Sequence, residues 1–195
     1  MDFLRQTSTS ITNDCRPLYS AIKRLADFVV PSEYGVLRKD KWNIGVNIAR
    51  PLIHRLCENL DQGLLDDPPT RVNLYFSSES HIHVLRNVLL LSGIADNRTV
   101  ATTLDALELN YLSHAVFRLY EDVSKDPSDP LRFYVSVQFS PGAALDPFIF
   151  TEEGHTLPVS RPIPVAGRLP YSHFRSLFLN LSDRQPPSQK PYLHD

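Results

Sequence analysis

Apolar residues spaced at helical intervals dominate this chain, and they constrain its fold more than any other feature. The clearest pattern keeps a period of about 3.6 residues and consists of Trp42, Val46, Ala49, Leu52, Ile53, Leu56 and Leu60. Pro51 lies inside it, so we expect a kink there or a junction between two helices. A helix with one apolar stripe must bury that stripe against another layer, so the fold needs at least two layers.

The same spacing predicts four more helices. A short one carries Leu18, Ile22, Leu25 and Ala26 and ends before Pro31. Others are expected at residues 80–91, closed by Ser92 and Gly93, at residues 102–122, and at residues 171–181.

Only two segments show the alternation of a strand, residues 72–76 and residues 131–140. In the second, Phe133, Val135 and Val137 face one side, and Pro141 and Gly142 turn the chain after it. Two strands are too few for a self-standing α/β sheet. Either more strands lie in residues 141–195, which hold nine of the sixteen prolines, or polypeptide outside this chain completes the sheet. We favour the second explanation and predict a helix-rich α/β fold whose sheet is incomplete in this chain.

Length, charge and cysteine content limit the class of protein. A chain of 195 residues fits one domain, which we place at residues 14–181, with residues 1–13 and 182–195 flexible. A formal charge of −2 argues against nucleic-acid binding. Cys15 and Cys57 are too few for a disulfide framework, no signal peptide precedes them, and the longest apolar run, residues 88–91, cannot span a membrane. We therefore expect a cytosolic protein.

The segment from Asn73 to His83 predicts a strand, a run of small hydroxylated residues, and a helix with a histidine in its first turn. The first N–H groups of a helix have no partners within it, and the helix dipole places positive charge there, so such an end binds phosphate. The local pattern leaves two interpretations open. His81 is a phosphate ligand, or the segment is an ordinary helix start with exposed polar residues.

Neighbouring side chains carry the same ambiguity. Ser78 and Ser80 can donate hydrogen bonds to a phosphate, although capping of the helix is the simpler role. Arg71 precedes the strand and can reach a phosphate, or it is solvated. Glu79 fits compensation of the helix dipole. His83 follows His81 by two positions and therefore lies on a different helix face, which disfavours a His-x-His metal site.

Six blocks of this sequence resemble consecutive blocks of the bifunctional diphosphoinositol pentakisphosphate kinase/phosphatase family. They are FVVPSEYG at 28–35, LYFSSESHIH at 74–83, ELNYLSH at 108–114, LYED at 119–122, RFYV at 132–135 and FSPG at 139–142. This family joins an ATP-grasp kinase to a histidine-acid-phosphatase domain. The chain resembles only the C-terminal part of that phosphatase domain. The resemblance therefore implies the helix-rich C-terminal portion of a histidine-phosphatase-like fold.

The resemblance implies a role for His81 as the second histidine of the phosphatase site, which binds the transferring phosphoryl group. The first histidine, which becomes phosphorylated, lies in an Arg-His motif. No Arg in this chain is directly followed by a His. Phosphohistidine chemistry needs that nucleophile, so we expect the isolated chain to be inactive. The implied ligands are inositol polyphosphates or pyrophosphates. No cofactor is expected for this piece, since ATP and Mg²⁺ would serve the kinase domain, which is missing from this sequence.

The sequence therefore predicts a fragment of a bifunctional inositol pyrophosphate kinase-phosphatase that carries half of the phosphatase site. Its expected partners are the inositol phosphates and the missing N-terminal part of the phosphatase domain. The alternatives are a catalytically silent inositol-phosphate-binding or regulatory module and a truncated gene product. An unrelated α/β hydrolase finds no support, because the chain has no Gly-x-Ser-x-Gly motif.

Overall fold

The computed structural model describes residues 2–65, 71–95, 109–143 and 160–181, with side chains from Cys15 onward. These residues form four helices and three strands. In chain order they are α1 (Asp2–Ser32), α2 (Arg38–Gly63), α3 (Glu79–Leu91), β1 (His114–Glu121), β2 (Phe133–Ser140), β3 (Ile163–Pro170) and α4 (Tyr171–Leu179).

Helix α1 is longer than the sequence predicts. It begins at Asp2 and continues through Pro17 to Ser32, with Pro31 in its last turn. The backbone of residues 2–13, which we expected to be flexible, belongs to this helix, and flexibility there stays a prediction. Residues 182–195 lie outside the described part of the chain.

Helices α2 and α3 pack together and form the main helical core. The predicted stripe on α2 is confirmed, since Trp42, Val46, Ala49 and Ile53 are all buried. Helix α2 is continuous, so Pro51 does not separate two helices, and a bend at Pro51 stays a prediction. Gly45 makes the close approach of α3 possible, because a Cβ there would lie 3.1 Å from Cγ2 of Val88 and 3.3 Å from a backbone oxygen of α3.

The predicted strand at residues 72–76 is wrong as a strand of this structure. The segment has no regular secondary structure, and its apolar side chains Val72, Leu74 and Phe76 are exposed, Phe76 to 94%. A strand is stabilised by its ladder of hydrogen bonds to a neighbour. The described residues place no strand beside this segment, so a sequence that favours the β conformation stays unpaired.

The predicted helix at residues 102–122 is wrong from residue 109 onward, while residues 102–108 lie outside the described ranges. Leu112 has a positive φ of 64°, which no helix contains, and β1 follows two residues later. Strand β1 pairs with β2 in an antiparallel register from His114 opposite Ser140 to Glu121 opposite Phe133. This pairing decides the conformation, because Leu112, Ala115, Val116 and Leu119 also fit a helical stripe.

The described strands form one antiparallel sheet in the order β1-β2-β3. Strand β2 lies within the strand predicted at residues 131–140. Its Val135, Val137 and Phe139 are fully buried. Strand β3 lies in the proline-rich end, so the explanation we did not favour, a further strand within residues 141–195, is correct for this strand. Its prolines at 164 and 170 are tolerated because β3 is an edge strand in the described sheet, where alternate residues direct their N–H side away from the neighbouring strand and need no partner there.

Helix α4 confirms the short helix expected near residues 171–181 and covers the buried face of the sheet. Phe174 meets the ring of Phe117 edge-on at 6.1 Å and that of Phe178 at 4.5 Å. Asp61 at the end of α2 accepts hydrogen bonds from the Tyr171 hydroxyl (2.6 Å) and from Arg175 Nε (2.9 Å). These contacts connect α4 to the α2–α3 layer, and the α/β fold class is confirmed.

Candidate functional site

The exposed segment before α3 leads to a cluster of three polar side chains. Ser78 Oγ lies 2.8 Å from His81 Nδ1 and 2.8 Å from Ser80 Oγ. His81 and Ser78 are exposed, and Ser80 is half-buried. The structure thus brings together three of the four site residues that the sequence analysis singled out, at the first turn of α3.

The backbone at this helix start is available to a ligand. Ser78 occupies the N-cap position, but its side chain makes no capping hydrogen bond. The expectation that Ser78 caps the helix is therefore wrong, because its hydroxyl is directed to His81 and Ser80 instead. The Ser78 carbonyl accepts from the N–H groups of His81 (3.1 Å) and Ile82 (3.2 Å). The N–H groups before them belong to the set that a helix cannot satisfy internally, and these are the groups that bind anions.

The contact with Ser78 orients the His81 imidazole. When the Ser78 hydroxyl donates to Nδ1, the proton of a neutral imidazole resides on Nε2, which can then donate a hydrogen bond to an oxygen atom in solvent. With the Ser78 hydroxyl donating, Nε2 of the exposed His81 carries the proton, and a phosphate oxygen is a suitable acceptor for it.

Arg71, the fourth predicted phosphate ligand, forms a hydrogen bond with α2. Its Nη1 donates to Gln62 Oε1 on α2 at 2.7 Å. A phosphate-binding role for Arg71 stays a prediction.

His83 lies behind the exposed cluster and has a different environment. Its ring is fully buried and stacks on Tyr34 with centroids 4.6 Å apart, while Nε2 lies 3.3 Å from Glu79 Oε1. Burial, and secondarily the charge of Arg86, lower the pKa of His83 to about 4, so the ring is neutral near pH 7. A carboxylate only accepts, so the contact places the proton on Nε2.

Tyr34 is the third member of the group that His83 and Glu79 form behind the exposed cluster. Its pKa is raised by burial and by the carboxylates of Glu79 and Glu33. Its backbone carbonyl accepts from Asn87 Nδ2 at 3.3 Å. The sequence analysis placed His83 on a different face from His81, and the structure agrees, but it missed the Tyr34–His83–Glu79 group. The four-residue spacing of Glu79 and His83 on a helix is the signal that indicates their contact.

Two negative observations apply to the described residues only. Within them, no three His, Cys, Asp or Glu side chains form a group that holds a metal ion. No helix among them has the length and hydropathy needed to cross a bilayer.

These features define an α/β protein with a histidine at an exposed, uncapped helix N-terminus. The chain belongs to the histidine phosphatase superfamily (branch 2), since the profile of that family matches residues 8–140, more than half of the chain.

Named relatives narrow the similarity further. The chain is 35% identical over 150 residues to inositol hexakisphosphate and diphosphoinositol-pentakisphosphate kinase 2 of Xenopus laevis, covering 65% of this chain and 13% of the relative. It is 36% identical over 127 residues to the Saccharomyces cerevisiae enzyme of the same type, covering 65% of this chain and 11% of the relative. The predicted family resemblance is thereby confirmed. The chain spans only a small part of these relatives, and no solved structure matches it.

Proposed function

We propose that this chain carries the phosphate-binding half of an inositol pyrophosphate phosphatase site within a bifunctional kinase-phosphatase. The observation that supports this most directly is the Ser78–Ser80–His81 cluster at the uncapped N-terminus of α3. Two kinds of donor meet there, the helix N–H groups and Nε2 of the exposed His81. Inositol polyphosphates and pyrophosphates are the ligand class, as the names of the relatives suggest.

In this proposal His81 binds the phosphoryl group that is being transferred. Its Nε2 and the first N–H groups of α3 stabilise the charge on the phosphoryl oxygens, while a histidine outside this chain attacks phosphorus in line with the leaving oxygen. Ser78 holds the imidazole ring in place through its contact with Nδ1. The attacking histidine would belong to an Arg-His motif, which this sequence does not contain.

The segment at residues 72–76 is the place where the N-terminal part of the phosphatase domain, the partner we propose, would pair with this chain. Val72, Leu74 and Phe76 are exposed at alternate positions of an unpaired segment, as they would be in a strand without its neighbour. A strand supplied by that partner would pair with this backbone and bury these side chains. Such a strand would lie close to the cluster, since residue 76 is two positions before Ser78.

A second candidate is a catalytically silent module that binds inositol phosphates. The lack of any Arg-His dipeptide favours it, because a chain without the nucleophile binds phosphate but does not turn it over. Both candidates predict no phosphatase turnover by residues 1–195 alone.

Isothermal titration of residues 1–195 with inositol hexakisphosphate tests the binding site that both candidates share. We expect binding that weakens with salt, and an affinity about 10- to 150-fold lower in His81→Ala, because a charge-assisted hydrogen bond contributes about 1.5–3 kcal/mol. His54→Ala is the matched control, since His54 is exposed on α2. Equal affinity of the two variants would remove His81 from the site.

A longer protein that contains this domain and its upstream part separates the two candidates. There, His81→Ala abolishes pyrophosphate hydrolysis and leaves the kinase reaction intact if the site is catalytic. Hydrolysis at the wild-type rate in that variant would contradict the catalytic assignment, and no hydrolysis even in the wild-type protein would favour the silent module.

A further inference from the structure

Helix α1 presents an apolar stripe to solvent that the phosphate site does not use. Its members are Leu18, Ile22, Leu25, Phe28 and Val29, which are between 42% and 72% exposed. The half-buried residues of α1 lie on the opposite side of the helix and include Lys23, Asp27 and Val30. The stripe therefore points away from the rest of the chain.

The spacing along this stripe is that of a coiled coil. Leu18, Ile22, Leu25 and Val29 follow one another at intervals of four, three and four residues, which repeats every seven positions. Leu18 and Leu25 then occupy d positions, and Ile22 and Val29 occupy a positions. β-Branched residues at a with leucine at d favour a parallel pair of helices over larger bundles.

The charges on α1 suit the association of two identical copies. From Cys15 to Val29 the positions that flank the seam carry no charge, and every charged residue lies on the outer positions b, c or f: Arg16, Lys23, Arg24 and Asp27. Lys23 and Asp27 form an ion pair along the helix, away from the stripe. Two copies of the stripe therefore meet without opposing like charges.

The apolar area of the stripe is large enough for two copies to associate through it. Five exposed apolar side chains contribute on the order of 100 Å² each, so two copies bury roughly 1,000 Å², which is about the minimum for a biological interface. Pro17 falls on outer position c. A helix that wraps a partner is convex toward solvent, and an outer proline is compatible with that curvature.

We propose that α1 is a dimerisation helix and that its partner is a second copy of this chain, arranged parallel and in register. Cys15 precedes Leu18 by three residues and occupies an a position, where each helix faces the same residue of its partner. It is exposed in the chain described here, whereas Cys57 is buried. This interface does not depend on the function proposed for His81.

Sedimentation equilibrium of residues 1–195 tests the dimer. We expect a monomer–dimer equilibrium whose dissociation constant rises at least about 100-fold in Leu25→Lys, because two apolar seam contacts are lost per dimer. Leu65→Lys is the matched control, since Leu65 is 85% exposed on a different part of the chain. Circular dichroism of both variants checks that the fold is retained. A wild-type chain that is monomeric at every concentration would overturn the proposal and leave the stripe to a different protein.

Oxidative cross-linking with copper phenanthroline tests the parallel register. In it, two Cys15 thiols lose two protons and transfer two electrons to the oxidant as the disulfide forms. We expect a Cys15–Cys15 cross-linked dimer in the Cys57→Ala background and none in Cys15→Ser. A dimer that sediments as such but never cross-links through Cys15 would contradict the parallel, in-register arrangement.

Discussion

The hydroxyl of Ser78 makes two contacts at the start of α3, and its contact with His81 Nδ1 holds the imidazole ring in place. Ser78→Ala removes that orientation. A neutral hydrogen bond contributes about 1 kcal/mol, so we expect about fivefold weaker binding of inositol hexakisphosphate, measured by titration calorimetry. Ser77→Ala changes an exposed neighbour in the same way and is the control. Equal affinities for the two variants would show that Ser78 does not position His81.

His83 gives the chain a pH-dependent stability. Burial first, and Arg86 second, lower its pKa from 6.5 to about 4. The unfolded chain therefore binds more protons between these values. The stability is fully present above pH 6.5 and is lost as the pH falls toward 4, by up to about 3 kcal/mol. We expect the melting temperature to fall over this range. His83→Phe keeps a ring beside Tyr34 and should reduce the slope, and an unchanged slope would exclude His83 as its source.

At the scale of elements, the contact between α2 and α3 depends on the absence of a side chain at Gly45. A Cβ there would meet Val88 and the backbone of α3 at 3.1–3.3 Å, so Gly45→Val should destabilise the fold by about 2 kcal/mol through overpacking. A Cβ at Gly63 meets only Leu119 at 3.4 Å, an ordinary contact. Gly63→Ala should therefore be neutral or gain up to about 1 kcal/mol from helix propensity. Urea denaturation measures both, and equal stabilities would contradict the packing argument.

The elements also show what sequence reasoning can predict here. Helix α3 and strand β2 are predicted well, because their periods and their end signals agree. Strand β1 is not, since Ala115, Val116 and Leu119 fit both a helical stripe and a strand, and only the pairing with β2 decides. Strand β3 is hidden by prolines that an edge position tolerates. In the candidate site, too, local contacts can be predicted from the sequence and long-range contacts cannot. Residues joined within one helix turn, Ser78 to His81, are predictable, whereas the long-range stack of His83 on Tyr34 is not.

At the scale of the whole molecule, Asp61 joins two regions that are about 110 residues apart in sequence. Burial alone would raise the pKa of this carboxyl, but hydrogen bonds from Arg175 and Tyr171 outweigh burial and hold the pKa below its usual value. Asp61→Ala leaves the Tyr171 hydroxyl without this acceptor, and we expect a loss of about 1–3 kcal/mol in the free energy of unfolding. Glu58→Ala is the control on the same helix, because its pair with Arg55 is exposed and contributes little. Similar losses in both variants would show that this junction does not hold α4 in place.

The unpaired segment before α3 has a consequence for how the isolated chain is degraded. Proteases bind their substrates as extended chains, and a chymotrypsin-like specificity pocket accepts a large apolar side chain. Leu74, Tyr75 and Phe76 offer both features on exposed backbone. Limited digestion with a chymotrypsin-like protease should therefore cut after Phe76 and separate residues 1–76 from residues 77–195. An inositol phosphate bound at Ser78 and His81, two to five positions away, should slow that cut and make cleavage a direct readout of site occupancy.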